Sequence, residues 1–430
     1  AAWRAAGYGL FKGVNVPSKT FGELVEHELE TPSVSAEELQ GWMNNGTALM
    51  LFDRRSENEF LRMSLPGARS CPNAELGYRV PSLRRGSKAR IVVNCAGRTR
   101  SIIGTETLRL AGVETDVFAL QNGTQGWRLA GLDLENGVAP AAFDPLADTD
   151  RKQGAQRAYE LQSSYGLRRI SVSQLDRMRA EVSRTTYLFD VRSKAEFERA
   201  SIPGARHAPG GQLVQATDEF IAVRNARVVL CCDNLLRSTT TAIWLAGMGH
   251  DVCILDKNTA LHARVAPQDK GAPCPGYIDV SELKRKLDAG AKLLDVSPGM
   301  DYREAHIQGA TWGTRARLKP AEYGEIEDLV VVGRDIAMVS GALAELEDLT
   351  GTAPGFALVS TPEEWRSARL NVVASPESPT EQDCIDYLFF VHDRHDGNLE
   401  ASRRYLAWEL GLVAQLDDQE SSVLSPLRPS

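Results

Sequence analysis

The segment Cys95-Ala96-Gly97-Arg98-Thr99-Arg100-Ser101 gathers a nucleophile, two cations and two hydroxyls into one short loop. It follows the apolar run Ile91-Val92-Val93-Asn94, which reads as a buried strand, and it leads into a helical stretch, Ser101–Leu110. A helix N-terminus carries unpaired N–H groups and the positive end of the helix dipole. A loop feeding such a terminus turns its amides, including those of Ala96 and Gly97, inward and makes an anion cradle. A cysteine at the head of that loop is expected to have its thiolate stabilised. Gly97 permits the tight curvature. Arg98 and Arg100 offer guanidinium forks to an oxyanion, and Thr99 and Ser101 add hydroxyl donors. The chemistry implied is attack by a thiolate on an anionic substrate.

The elements that position this loop recur along the chain. LFDRRSENEFLRMSLPGAR, LFDVRSKAEFERASIPGAR and LLDVSPGMDYREAHIQGAT share one pattern, opening on Asp53, Asp190 and Asp295 and reaching Gly-Ala at the same distance. Asp53 precedes Cys95 by 42 residues, and Asp190 precedes Cys232 by the same interval. The third copy has Arg334 where the cysteine stands in the other two. FALQNGTQGWR, ending at Arg128, is matched by FALVSTPEEWR, ending at Arg366. Trp3-Arg4-Ala5-Ala6-Gly7 is similar to Trp127-Arg128-Leu129-Ala130-Gly131, so the chain is expected to open in the tail of an earlier repeat. Short apolar runs alternating with helical stretches, among them Ser35–Met43 and Ser281–Ala289, imply an α/β fold of parallel sheets flanked by helices. A helix is expected over Arg151–Tyr165, in a linker. Thr380, followed by Asp383, reads as a helix cap opening a helix to about His392. A turn at Asp396-Gly397-Asn398 and a second helix through Leu416 would complete a helical hairpin, expected to dock rather than catalyse.

Composition narrows the classes of function. The chain has 430 residues, which suggests about three domains, and 43% hydrophobic residues, as expected of a globular protein. With 49 basic and 57 acidic residues the charge is −8, which argues against a nucleic-acid or membrane-surface partner. Seven cysteines, an odd number without a C-x-x-C, read as free thiols in a reducing cytoplasm. Cys71, Cys253, Cys274 and Cys384 lack a basic loop and read as ordinary thiols, and Cys231 as a strand-end core residue. His392 and His395 read as surface or capping residues rather than metal ligands, and Trp127 as packing.

The Asp-x-Arg strand end, the P-G-A turn, the C-A-G-R-T-R-S loop and the N-G-x-x-G-W exit resemble rhodanese-type sulfurtransferases, closest to bacterial proteins with tandem rhodanese repeats. The resemblance implies the following organisation: residues 1–32, tail of a preceding, mostly missing repeat and a linker; 33–137, a domain with the catalytic loop; 138–168, a linker with a helix; 169–266, a domain with a degenerate loop; 275–372, a domain without the cysteine; 373–430, the C-terminal hairpin and tail. It implies that Cys95 accepts sulfur as a persulfide, and that Arg98, Arg100 and the loop amides bind the donor. Asp53 and Arg55 would buttress the site. Ser64 stands where a histidine is common in the family. The expected partners are a small anionic donor such as thiosulfate and a cyanide, thiol or protein acceptor, with no metal or organic cofactor. Cysteine phosphatases of related architecture carry an arginine one position later than Arg100, so the shorter loop here favours sulfane sulfur. A scaffold or sulfur-relay protein is the competing reading, although a pure scaffold would not need the loop intact.

Cys232-Asp233-Asn234-Leu235-Leu236-Arg237-Ser238 keeps the Cys-to-Arg spacing but lacks the glycine and one arginine. Asp233 should raise the thiol pKa and repel an anion. Cys232 and Arg237 therefore form a weak second candidate, followed by a helix that the Leu245-Ala246-Gly247 triplet makes two residues shorter than its counterpart. The third repeat is expected to be structural.

Overall fold

Residues 15–72, 74–113, 116–256, 276–387 and 397–429 are described by a computed structural model. The expected repeat tail at Trp3–Gly7, Cys274, and the pair His392 and His395 lie outside them. The chain divides into two units, Ala1–Pro267 with Asp393–Ser430, and Gln268–His392.

The first unit holds two parallel sheets of five strands. Strands β1 (Ser33–Val34), β2 (Leu49–Asp53), β3 (Arg69–Ser70), β4 (Arg90–Asn94) and β5 (Val117–Leu120) lie in the order β1-β5-β4-β2-β3. Strands β6 (Arg168–Ile170), β7 (Thr186–Asp190), β8 (Arg206–His207), β9 (Arg227–Cys231) and β10 (Asp251–Leu255) repeat that order as β6-β10-β9-β7-β8. The apolar runs predicted as strands are β4 and β9, each buried on both faces. Along β4, Val92 joins Leu51, Leu120 and Trp127 on one face, while Ile91 and Val93 join Phe52 and Leu108 on the other. Alternation with both faces apolar is what a parallel sheet covered by helices requires.

The helices used below are α1 (Val16–Leu29), α2 (Glu75–Arg84), α3 (Thr99–Leu110), α4 (Asp148–Ser164), α5 (Leu236–Gly247) and α6 (Leu399–Leu410). The two sheets share a core in which Phe21, Ile102 and Ile103 pack with Leu230, Ile243 and Trp244. Within it the Trp244 indole donates to Thr107 Oγ1 at 3.0 Å. Helices α3 and α5 are both twelve residues long, so the expected shortening of α5 does not occur. The terminating left-handed glycines are Gly112 (φ +92°) and Gly249 (φ +82°), each the same distance from its cysteine, and Gly247 is simply helical.

The second unit contains β11 (Leu293–Asp295), β13 (Thr311–Trp312), β14 (Val330–Gly333) and β15 (Phe356–Val359) as a parallel sheet, β13-β11-β14-β15. A parallel bridge from Tyr277 to Ala357 adds the edge, so the strand order follows that of the other two sheets. The short strands β12 (His306–Ile307) and β16 (Val372–Val373) pair antiparallel.

The expected C-terminal hairpin is not what the described residues form. Residues 381–387 make turns instead of a helix. The Thr380 hydroxyl bonds Asp383, but Asp386 is drawn to the Gly299 N–H, which donates to its Oδ2 at 2.6 Å. That tertiary bond outweighs the local cap signal. The second arm is the helix α6, which stops at Leu410 before Gly411, short of Leu416, and a 3₁₀ turn Val413–Gln415 follows. Among the described residues no helix is long and apolar enough to cross a membrane.

Candidate active site

The sheet order places a switch point between β2 and β4. From β2 the chain moves outward to β3, and from β4 it moves the opposite way to β5. The crevice at the carboxyl ends of such strands is where open α/β sheets bind ligands. Asp53 ends β2 and Asn94 ends β4, paired in register. Asp53 is fully buried and accepts from the Arg55 backbone N–H at 2.9 Å, from Arg55 Nε at 3.0 Å and Nη2 at 2.7 Å, and from Asn94 Nδ2 at 3.1 Å. Arg55 Nη2 also donates to the Met63 carbonyl. These buried bonds tie the two strand ends together.

Cys95 follows β4 directly and is 1% exposed, with Ser101 Oγ 3.7 Å from its sulfur. Helix α3 begins at Thr99, two residues before the expected start, so Arg100 and Ser101 belong to its first turn. No side chain caps this N-terminus. The exit motif holds the loop from the other side. The Thr124 and Gln125 N–H groups donate to the carbonyls of Cys95 (2.8 Å) and Ala96 (3.2 Å), and Gln125 Nε2 adds a bond to Ala96 O at 2.9 Å. Gly123, at φ +54°, lets this approach happen, since a methyl group there would collide with the Cys95 carbonyl. Trp127 is buried in the core, its indole donating to the Asp133 carbonyl at 2.8 Å.

The two arginines are not free forks as expected. Arg98 is held by α1, its Nε 2.8 Å from Glu23 Oε1 and its Nη2 paired with Glu26. Burial pushes Glu23 up to about 7 despite this pairing. Arg100 grips Glu59 in a bidentate pair at 2.8 and 2.7 Å. Glu59 belongs to the Ser56 capping box of the helix Glu57–Arg62, and the Arg100 pairing outweighs burial to hold its carboxyl well below the usual range. Carboxylates opposite both guanidiniums were invisible to motif reading because they come from other elements.

Sequence reasoning also missed two groups. Arg54 is 3% exposed beside the loop, and its Nη1 donates to the Arg100 carbonyl at 2.7 Å. Its signal was the middle residue of Asp-x-Arg, arginine here but Val191 in the second repeat. The other is Glu409 of α6, 1% exposed, which accepts from Thr99 Oγ1 at 3.0 Å. A methyl group on Gly97 would sit 3.1 Å from Glu409 Oε2 and 3.4 Å from the Tyr405 ring, so α6 closes directly over the loop. Lys19 of α1 bonds the Tyr405 hydroxyl.

Cys232 is equally buried, but its loop takes another course. Leu235 adopts φ +66°, strained for a residue with a Cβ, where Arg98 has φ −117°. Burial pushes the Cys232 thiol up to about 11, with Asp233 adding to the rise and Arg237 opposing it. Arg237 is fully buried between Glu196 (2.7 and 2.8 Å), Asp233 (2.7 Å) and Glu75 of α2. Asn234 Nδ2 donates to Arg151 O of α4 at 2.8 Å. In the second unit, Arg334 at the cysteine position donates from Nη2 to the carbonyls of Asp301 (2.7 Å) and Ala305 (2.9 Å), a structural use. A cleft of about 630 Å³ opens elsewhere in the first unit, lined by Glu106, Arg109, Arg157 and Tyr165 among others, and no cysteine lines it.

Residues 35–130 and 171–258 match the family described as Rhodanese-like domain. The crystal structure of thiosulfate sulfurtransferase from Pseudomonas aeruginosa is 38% identical and superposes with a TM-score of 0.86, covering 99% of this chain and 82% of that one. A rhodanese-like domain from Anabaena sp. is 26% identical over 27% of this chain and 89% of its own, with a TM-score of 0.23. SseA of Escherichia coli, described as a 3-mercaptopyruvate sulfotransferase, is 19% identical over 54% of this chain and 99% of its own, with a TM-score of 0.23. At those TM-scores the latter two carry no weight for the whole chain. No curated protein matches it.

Proposed function

This chain belongs to the rhodanese family, and from that premise we propose that it is a sulfurtransferase whose nucleophile is Cys95. The observation that carries the reading is the position of Cys95, between a switch-point strand and an uncapped helix N-terminus, beside two buried guanidiniums. The 38% identity to the Pseudomonas thiosulfate sulfurtransferase supports thiosulfate as donor.

The reaction is a double displacement. The Cys95 thiolate attacks the outer sulfur of thiosulfate, a new S–S bond forms, and the old one breaks with its electron pair leaving as sulfite. A Cys95 persulfide anion remains. Cyanide or a thiolate then attacks its outer sulfur, leaves as thiocyanate or a persulfide, and returns the Cys95 thiolate. The α3 N-terminus stabilises the anions at both steps. Arg98 and Arg100 act chiefly by holding the loop, because carboxylates already engage them. The second repeat, with a thiol pushed up to about 11 and no Gly97 counterpart, serves as the packing partner of the first. The third sheet, with the same strand order and Arg334 in place of the cysteine, is a degenerate third repeat.

Intact-protein mass spectrometry after brief thiosulfate exposure tests this. The wild type should gain one sulfur and Cys95→Ser none. A wild type that gains none from thiosulfate, mercaptopyruvate or glutathione persulfide would sink the proposal.

A further inference from the structure

Arg54 and Cys95 occupy neighbouring strand ends. Asp53 and Asn94 pair across β2 and β4 with bonded side chains, so they share one face of the sheet. The next residue on each side is Arg54 and Cys95, and the Arg54 N–H donates to the Asn94 carbonyl at 3.0 Å. Alternation along a strand sends both of these side chains to the other face, under α3. There the Arg54 Cδ and Nη1 and the Val93 Cγ1 crowd against Gly104, where any added methyl group would collide with Arg54.

What distinguishes Arg54 is what it lacks. Arg55 has Asp53, Arg98 has Glu23 and Glu26, and Arg100 has Glu59. Arg54 pairs with no carboxylate among the described residues. One Nη1 bond goes to a carbonyl, and its Nε, buried, has no partner. A buried cation without an anion is costly unless something nearby ionises. The charged and titratable groups around it are Cys95 on the loop, Arg100 on α3 and Cys71 after β3. Arg100 in turn faces Cys95, Glu59 and Asp53, and Glu409 of α6 lies against Gly97 of the same loop. Burial brings the Arg54 guanidinium down to about 10, Arg100 adds to the fall, and Cys95 and Cys71 oppose it. Cys71 is no counter-ion, because burial pushes its thiol far up. That leaves Cys95.

The repeats supply an internal control. The position after the motif aspartate is Arg54, then Val191, then Val296. The position nine residues after the cysteine, or after Arg334, is Gly104, then Thr241, then Leu343. Only the repeat with the basic loop combines an arginine with a glycine that makes room for it. We propose that Arg54 is the positioning residue whose unneutralised charge balances the Cys95 thiolate and persulfide from beneath the loop, and that Gly104 is the space that admits it. This rests on Cys95 being the nucleophile.

The test is the pH dependence of Cys95 alkylation by iodoacetamide, read by mass spectrometry on the full chain, which needs no sulfur donor. Failure of the sulfurtransferase reading and failure of this inference are therefore separable. The variants are Arg54→Lys and the double variant R54V/G104T, which copies the second repeat and refills the space. The apparent Cys95 pKa should rise by about one unit or more in R54V/G104T, the scale of a nearby opposite charge, and stay near wild type in Arg54→Lys. An unchanged profile in a folded R54V/G104T overturns the proposal. Should that variant not fold, the converse transplant V191R/T241G should lower the Cys232 pKa by a similar amount, and an unchanged Cys232 overturns it.

Discussion

In the first repeat Glu59 grips Arg100 at 2.7 and 2.8 Å, and in the second Glu196 grips Arg237 at the same two distances. Both carboxylates sit in serine capping boxes, and both motif aspartates are buried against their Asp-x-Arg partners. Against this common scaffold the loops diverge. Around Cys95 there are Gly97, Arg98 and Arg100, each paired with carboxylates from other elements, and Arg54, which has no carboxylate partner among the described residues. Around Cys232 there are Asp233, a left-handed Leu235, and an Arg237 paired with three carboxylates. Strand order and capping therefore preserve a loop's place in the fold, while the charge packed around its cysteine differs from one repeat to the next.

The largest effect expected is from Cys95→Ser, which should end sulfur loading and thiocyanate formation altogether, because a hydroxyl cannot hold a persulfide. Persistent turnover would transfer the chemistry to another thiol. Next, Arg237→Ala should cost about 3 kcal/mol in urea denaturation, since it strands carboxylates in a largely dry site. Arg100→Ala should cost less, about 1–2 kcal/mol, because Glu59 is 36% exposed and water screens it. Equal losses would mean that the two pairs are equivalent after all. Glu409→Gln keeps an acceptor for Thr99 but removes a negative charge beside Gly97, so KM for thiosulfate should fall about fivefold, roughly 1 kcal/mol. A raised KM would instead make Glu409 part of the productive site.

Glu23, on α1 against Arg98, provides a pH signature at the first loop. Its folded pKa is raised, to about 7, so its contribution to stability is full below the unfolded value near 4.5 and is lost as pH rises through 7. Denaturation midpoints of Glu23→Gln should accordingly vary less than wild type between pH 5 and 8, and an equally steep variation would point to another group. The smallest effect is at Cys232. With its thiol pushed up to about 11, about one molecule in a thousand is ionised there at pH 8. Cys232→Ser should change thiocyanate formation less than about twofold, and a larger loss would restore the second repeat as a working site.

The two loops also show how far motif reading reaches. The apolar runs that became β4 and β9, and the equal spacing from Asp53 to Cys95 and from Asp190 to Cys232, were legible, because each depends on a few neighbouring residues. Asp233 and the missing glycine, which set the second loop apart from the first, were legible too. The roles of the arginines were not. Arg98 finds Glu23 75 residues away, Thr99 finds Glu409 310 residues away, and Arg237 finds Glu75 162 residues away. The turns that stand in place of a helix over the described residues 381–387 have the same origin, a cap signal set against the Asp386 bond to Gly299, 87 residues distant. Local sequence determined where a thiol could meet a helix N-terminus, since strand and helix formation are short-range. Which charges around that thiol remain uncompensated was decided only by tertiary packing, because an ion pair depends on whichever helix is laid across the site.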